Sequence, residues 1–410
     1  MFRILRVPPS LDKFFRPLHG DLHWDHCTYC RVLGVTMAVM WGRRHVANLY
    51  RYLDAAHHRS RCNNFFVVER WDPAAALRQK ARERLRVLHP QPGETVYRIV
   101  DDSQAATRGQ VMDAIATRKA PTTDAYIWGH HDVCAILVYR HQVIPWGIRL
   151  DVTREQCAGV GGPFRKTTAL AAQLIRACRA PAGVKVLVLC DAYDLCPTVV
   201  KACREQRVPF ASTLTSHRSR FKPGWKLKAG RDGRHLCRRR RTATLVLGKP
   251  QGKARYRDGD AGWLQVSHLG VLPVVCSRTG AARKILGLVT DDPKVSAAGR
   301  IQASDRRWAI EPWLNDTKPL LGLGQDQNRS YWAAVTHLHL VCVAHALLTH
   351  RRLERQGAQG ERTRDKATGM SVATAQETLR GLIWEDLITS LKKQGHEKSV
   401  FTELERLRVA

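Results

Sequence analysis

The sequence predicts an α/β fold: a mixed sheet flanked by helices, interrupted by a β-rich insertion and preceded by an N-terminal helical domain. Three observations predict it. Val184 to Cys190 is a near-continuous apolar run, the pattern of a strand buried on both faces. Val96 to Val100 is a short β-prone run ending in Asp101-Asp102-Ser103, and further β-prone runs follow it at Tyr126 to Asp132, Ala135 to Tyr139 and Val143 to Leu150. Residues 210–290 then read as strand after strand, while the flanking segments carry helical periodicity.

Taken in order, residues 1–95 read as helical. Arg31 to Leu53 mixes apolar and basic residues without strand alternation. Pro73 to Leu88 is a second helix, with Asp72 as its N-cap and Pro73 at its first position. This block is either a DNA-binding helical domain or a cationic structural cap. The core begins at residue 96, and an aspartate ending one strand, followed by an antiparallel meander, is the opening of an RNase H-like fold. Thr167 to Arg179 is an amphipathic helix with Leu170, Leu174 and Ile175 as its apolar residues. The first part of the core closes near residue 209, after a helix from Thr198 to Gln206 with Pro197 at its start.

The insertion, 210–290, contains strands at Phe210 to Leu214, Ala243 to Leu247, Ala254 to Tyr256, Trp263 to Val266, Leu272 to Cys276 and Ile285 to Val289. Its most basic stretch runs from Lys222 to Arg241 and includes four consecutive arginines, Arg238 to Arg241, placed to meet a DNA backbone. Trp263 is either a core tryptophan or a platform for an unpaired base. Residues 291–350 return to the core, and Tyr331 to Thr349 is an apolar helix expected against the sheet. Residues 351–410 read as a polar linker and a tail helix, Thr374 to Lys393, with Leu379, Ile383, Trp384, Leu387 and Leu391 on one side.

Charge narrows the partners. Lys and Arg number 67 against 36 Asp and Glu, a net of +31. So large an excess on a folded chain implies a polyanion, with nucleic acid ahead of an anionic membrane. No fully apolar run approaches the length needed to cross a bilayer, and the N-terminus lacks the apolar stretch of a signal peptide. The 12 cysteines are scattered, and several sit in apolar runs where a thiol behaves as a small hydrophobe. Cys27-x-x-Cys30, beside His23 and His26, has no second cysteine pair at zinc-finger distance, so a structural zinc site is disfavoured. His130-His131 reads as a turn or groove pair ahead of a metal-ligating one.

Three carboxylates carry the chemistry. Asp101 and Asp191 each end an apolar run, and a carboxylate at the carboxyl end of a central buried strand holds an active-site position in α/β sheets. The alternative for Asp191 is a structural cap for the helix that follows. Glu311 lies between two cations, Arg307 and Lys318, at spacings near whole helical turns. Pro312 disfavours a helical residue before it, so the helix either kinks at Glu311 or restarts with Pro312 at its first position. Three distant acids brought together would suit divalent metals in phosphoryl transfer.

These residues carry a family likeness. The chain resembles DDE transposases of bacterial insertion sequences, in the branch with a Tyr-Arg-Glu-Lys signature and a β insertion in an RNase H-like core. The likeness rests on Val100-Asp101-Asp102-Ser103 with Arg108-Gly109, on Leu189-Cys190-Asp191-Ala192-Tyr193, and on Arg307, Trp308-Ala309-Ile310-Glu311 and Lys318. It extends to Leu321-Gly322-Leu323-Gly324 and Asn328-Arg329-Ser330. Ser304 stands where the family's tyrosine would fall.

The resemblance implies a DNA transposase in which Asp101, Asp191 and Glu311 bind two Mg2+ (or Mn2+) ions per active site, with Arg307 and Lys318 on DNA phosphates. It implies nicking at element ends, strand transfer into target DNA, a homodimer that pairs the two ends, and a bacterial cytoplasmic, nucleoid-associated setting. The alternatives are a transposase-derived DNA-binding protein without catalysis, and an RNase H-like nuclease that cuts without joining. Asp101 is the expected first ligand over Asp102, because it directly follows the apolar run.

Overall fold

The computed structural model describes residues 7–20, 22–53, 59–67, 71–120, 124–178, 183–214, 220–222, 225–227, 242–246, 253–279, 285–358 and 371–393. The protein is mixed α/β, built on an open mixed sheet of 12 strands among the described residues, with helices on both faces.

The first six strands are β1 (Thr95–Ala106), β2 (Ile115–Lys119), β3 (Tyr126–Tyr139), β4 (Gln142–Leu150), β5 (Lys185–Cys190) and β6 (Phe210–Leu214). On one side β1 runs antiparallel to β3, and on the other it runs parallel to β5, which in turn is parallel to β6. Both β2 and β4 line the far edge of β3. The sequence split β3 into two strands at Val133-Cys134. It is one strand of 14 residues, because Gly129 to Tyr139 are all buried and the polar Gly-His-His-Asp stretch continues the ladder. Gly129 has a steric reason: a Cβ there would lie 1.9 Å from the carbonyl oxygen of Ala105 on β1. Strand β2 has no counterpart among the β-prone runs of the sequence.

The β-rich block does not form a separate sheet. From β6 the sheet continues antiparallel through β12 (Ile285–Thr290), β11 (Gly270–Thr279) and β10 (Lys253–Val266). Strands β7 (Arg220–Lys222) and β9 (Thr242–Val246) pair with β10, and β8 (Trp225–Leu227) pairs with β7. The two short strands read at Ala254 and Trp263 are one strand with an irregularity at Asp260/Gly262. Arg238 to Arg241 lie outside the described residues. Trp263 is 56 % exposed, so its core reading does not hold.

Helices α1 (Asp12–Phe15), α2 (Trp24–Val39), α3 (Val46–Arg51), α4 (Arg59–Val67) and α5 (Pro73–Leu88) form the N-terminal part. Arg31 to Leu53 is therefore two helices with a break at Met40 to His45. Helix α5 has the predicted bounds, and the Asp72 carboxylate accepts from Ala75 N–H at 2.9 Å, a cap worth about 1 kcal/mol. Cys27 and Cys30 are buried in α2, with the Cys27 thiol on the Leu18 carbonyl and burial pushing the Cys30 thiol up to about 12.

One face of the core sheet is covered by α7 (Thr167–Arg176) and α8 (Pro197–Glu205), following the short α6 (Cys157–Val160). Arg98 on β1 is fully buried and donates to the Ile175 and Cys178 carbonyls at 2.8 Å each, satisfying the carboxyl end of α7. The other face is covered by α9 (Ala297–Arg307), α10 (Ile310–Leu321) and α11 (Tyr331–Ala358). Tyr331–Arg351 is long and apolar enough to cross a membrane by length and composition, but 89 % of its apolar window is buried inside the protein. It is a core helix, and it runs into the segment read as linker as far as Ala358.

The tail helix α12 (Val372–Lys393) docks on this same body. Leu379 and Ile383 are buried, and Trp384 and Leu387 pack against the core. Its Gln376 and Arg380 donate to carbonyls of Ala38, Val39 and Met40 at the end of α2. Buried Arg44 donates to Met37, Met40 and Gly42 on the same turn. The N-terminal helices and the tail are thus locked together through otherwise unpaired helix-end carbonyls.

Candidate functional site

Strand β1 does not end at Asp101, as the sequence suggests, but runs on to Ala106 paired with β3; β5 ends at Cys190, so Asp101 and Asp191 lie level, two residues past the last β1–β5 pairing. Ile99 is in register with Leu189, and both pack in the core beneath α9 and α10. Side chains alternate along a strand, so Asp101, two residues further along β1, leaves on that same face; Asp191 lies just past the end of β5 and lines an open groove together with Asp102. Burial pushes the Asp101 carboxyl up to about 7; the Arg307 guanidinium opposes this, and neighbouring Asp191 and Asp102 reinforce it.

Arg307 is the direct partner of Asp101. Its Nη1 donates to Asp101 Oδ2 at 2.8 Å, with both side chains largely buried. The Asp101 Oδ1 accepts from the Asp102 N–H at 3.0 Å. Asp191 Oδ1 accepts from the N–H groups of Tyr193 and Asp194 at 2.8 and 2.7 Å, so it holds a turn. It does not cap α8, whose N-cap is Cys196. Buried Asp194 is pushed up to about 8, by burial first and then by Asp191, Asp102 and Asp101. Four acids therefore crowd one sheet end, and the spacing Asp191-x-x-Asp194 was the visible signal for the fourth.

The helix carrying Glu311 restarts. Helix α9 ends at Arg307, Trp308 and Ala309 form the junction, and α10 begins at Ile310. Pro312 falls in the first turn of α10, where a missing N–H costs no intrahelical bond. Arg307 thus sits on one helix, and Glu311 and Lys318 on the next. Ile310 and Trp313 bury the inner face of α10, whereas Glu311 is exposed and its carboxylate makes no hydrogen bond or ion pair among the described residues. Lys318 reaches back to β1, donating from Nζ to the Gln104 carbonyl at 3.0 Å. The structure thus joins Asp101, Asp191 and Arg307, ties Lys318 to the same strand, and leaves Glu311 unengaged at the rim. Among the described residues, no group of three or more His, Cys, Asp or Glu is already arranged around a metal position.

The glycines after Glu311 explain themselves by approach. Gly322 and Gly324 have φ of +78° and +76°, and a Cβ on Gly324 would lie 2.1 Å from that of Ala105. The Leu321-to-Gly324 turn is pressed on the end of β1.

The opposite face of β1 holds a network that sequence reasoning missed. His131 on β3 is buried, with Nε2 2.7 Å from Asp102 Oδ2 and Nδ1 3.2 Å from Asp151 Oδ2. Arg118 on β2 completes it with a 2.5 Å ion pair to Asp151. Burial pulls the imidazole down, but its bonds to the two carboxylates outweigh this and hold it up at about 9. His130, one residue earlier, points to the other face, 3.6 Å from buried Asp326. Successive histidines on one strand thus serve different clusters.

A groove of about 1130 Å³ opens beside this network, and its lining includes Asp102, Asp191, Arg118, Lys166 and Tyr193.

No protein-family model matches the chain, and no curated protein sequence matches it.

Proposed function

We propose that this protein is a DNA transposase of the DDE type, an RNase H-like phosphoryl-transfer enzyme that nicks DNA at element ends and joins the freed 3′-hydroxyl to target DNA. One observation carries the reading. Asp191 directly follows β5, Asp101 lies level with it on the adjacent parallel strand β1, two residues past the last pairing of the two strands, and an arginine seven-eighths buried meets Asp101. The strand order β4-β3-β1-β5-β6, with β3 alone antiparallel to its neighbours β1 and β4, supports the RNase H-like reading of the core.

The donor set fits hard divalent cations. Asp101 and Asp191 offer oxygen, and burial first, then repulsion from neighbouring aspartates, raises Asp101 and Asp194 above the usual carboxylate range. Glu311 is exposed and uncommitted on a helix packed against β1, free to supply a third carboxylate. Two Mg2+ or Mn2+ ions held by Asp101, Asp191 and Glu311 would supply Lewis-acid activation of the attacking oxygen and charge stabilisation of the leaving one. Arg307 offsets the acid charge at Asp101 and offers remaining guanidinium donors to a phosphate. Lys318, fixed on β1, places a cation beside the same strand end. Exposed Trp263 offers a face on which a base can stack. The net of +31 supplies sequence-independent DNA affinity.

The deciding experiment incubates the protein with labelled element-end DNA and Mg2+ or Mn2+. A 3′-hydroxyl nick followed by joined product is expected. Binding without cutting would favour a non-catalytic DNA-binding protein, and cutting without joining a nuclease. Asp191→Ala should keep DNA binding and abolish cutting; cutting that persists in this variant removes Asp191 from the site.

A further inference from the structure

A pocket of about 610 Å³ opens in the N-terminal part, between α3, α4 and the turn that leads into α11. None of the acids or cations of the candidate site lines it. Its third wall includes Asn328, from the Asn328-Arg329-Ser330 stretch to which the proposed function gives no role. The volume suits a small ligand held in a cleft.

The lining combines apolar surface with uncommitted polar groups. Val46, Ala47 and the buried Cys62 supply the first, and Tyr50 adds a half-buried ring. Asn63, Gln327 and Asn328 supply three carboxamides. Those of Asn63 and Gln327 are exposed and make no hydrogen bond among the described residues. Asn328 is held through Nδ2, which donates to the Ala333 carbonyl at 3.4 Å, and its Oδ1 is left as an acceptor. His45 is oriented too. Its Nδ1 accepts from the Asn48 N–H at 3.4 Å as the cap of α3, and burial, followed by Arg51 and Arg43, holds the ring below its usual pKa. A neutral ring with Nδ1 as acceptor carries its proton on Nε2, which is a second donor for a ligand.

Charge selects the ligand. Arg59 is the charged residue of the lining; it is exposed, it makes no ion pair among the described residues, and no acid lines the pocket with it. Arg51 and Arg329, each next in sequence to a lining residue, add exposed cations. An anion with a flat, stackable, hydrogen-bonding body matches this set, and a nucleotide is such an anion. Carboxamides read base edges, a tyrosine ring stacks on a base, and a guanidinium takes a phosphate. The net of +31 favours a DNA strand over a free nucleotide as its source.

We propose that this pocket takes one unstacked nucleotide of a DNA strand, with its base against Tyr50 and the carboxamides and its phosphate on Arg59. The site goes beyond the transposase reading and does not rest on it, because an extrahelical base can be held without any cleavage.

The probe is a labelled duplex with one unpaired adenine, since a carboxamide matches the N6/N7 edge of that base; the reference is the same duplex with an abasic position there. Binding of each to the full chain is measured by fluorescence anisotropy without divalent metal. The wild-type protein should hold the adenine probe about tenfold tighter than the reference. Arg59→Ala/Asn63→Ala, both exposed on α4, should keep the melting temperature and bring that ratio to about threefold or less. Arg61→Ala/Asn64→Ala is the control: same helix, also exposed, equal in charge change and outside the lining. It should leave the ratio at about tenfold. An equal fall in both pairs, or none in the first, overturns the pocket. Adenosine 5′-monophosphate is titrated in parallel, with inorganic phosphate as its reference. A duplex ratio near one, beside nucleotide binding that only Arg59→Ala/Asn63→Ala loses, keeps the nucleotide site and overturns its DNA source. Neither probe held above its reference overturns the site itself. A protein that never cuts DNA overturns the transposase reading alone, and the two ratios still decide the pocket.

Discussion

Asp101 and Asp102 are consecutive on β1 and leave it on opposite faces, into opposite chemistries. Asp101 meets one arginine, and burial first, then Asp191 and Asp102, holds its carboxyl up near 7 against the pull of that arginine. Asp102 is locked by a 2.7 Å contact to His131, which Asp151 and Arg118 hold from behind. The first is a site with one exchangeable cation over accumulated negative charge, which a divalent ion or a phosphate-bound metal could relieve. The second is a closed chain of alternating charges, in which each group already has its partner. The difference teaches that number and type of acids do not make a site; how replaceable their partners are does.

The comparison breaks most decisively at the level of chemistry. On the proposed function, Asp101→Asn should lower DNA cleavage by roughly a thousandfold or more, as loss of a group in direct contact with a reacting centre does. Asp102→Asn keeps a hydrogen-bonding partner for His131 and should lower it by about tenfold or less. Single-turnover cleavage of labelled end DNA measures both. Equal losses would mean that the two faces act as one site.

Stability should show the reverse ranking. His131→Leu strips the bridge from two carboxylates, one of them fully buried, and breaking a buried pair in this way costs about 3–5 kcal/mol. Asp101→Asn removes a raised, partly neutral carboxyl but keeps an amide oxygen for Arg307, so it should cost less than His131→Leu. Urea melts of the two variants check the order, and a destabilisation of Asp101→Asn equal to that of His131→Leu would overturn it.

The pH dependence separates the faces further. His131 is raised from 6.5 to about 9, so its stabilisation is complete below pH 6.5 and lost as pH rises through 9. Asp101 and Asp194 are raised from 3.8 to about 7 and about 8, so their contributions are complete below 3.8 and lost as pH rises through those values. All three signs agree, and the metal-free protein should lose stability between about pH 4 and 9, the Asp101 and Asp194 parts from 3.8 to about 7 and 8 and the His131 part from 6.5 to about 9. The His131 part amounts to about 3 kcal/mol at most. Millimolar Mg2+ should reduce the Asp101 part of this loss and leave the His131 part standing. Melting curves across that range, with and without Mg2+, read the two components; a Mg2+ effect equal at every pH would argue against a cation at Asp101.

Much of this was legible in the sequence, and what was missed has a common cause. The apolar run at Val184 to Cys190 and the capped helix at Pro73 announce themselves, because hydrophobic period and cap chemistry are local signals. Asp191 and Arg307 were readable as candidates because each stands at the end of a local element; Asp101 was singled out by the end of its apolar run, although β1 itself runs on to Ala106. His131 was not, since its role depends on Asp102 and Asp151 lying across strands, and a Gly-His-His-Asp stretch reads as a turn when its ladder partners are unseen. The restart at Ile310 was half legible: Pro312 signalled the interruption, but only tertiary packing of Ile310 and Trp313 decides that α10 resumes before the proline.

The smallest effect tests whether the locked face is a chain or a set of separate pairs. Arg118 is about one-third exposed, and Asp151 keeps His131 when the arginine is removed. Arg118→Gln should therefore cost only about 1 kcal/mol, near the value for a partly solvated ion pair. The informative quantity is the coupling. If Arg118 holds Asp151 in the geometry that His131 needs, the loss in Arg118→Gln/His131→Leu will fall short of the sum of the single losses by at least about 0.5 kcal/mol, because the second change removes a bond that the first had already loosened. Additivity within that margin would reduce the network to independent contacts, and the rigidity ascribed to Asp102 would then come from His131 alone.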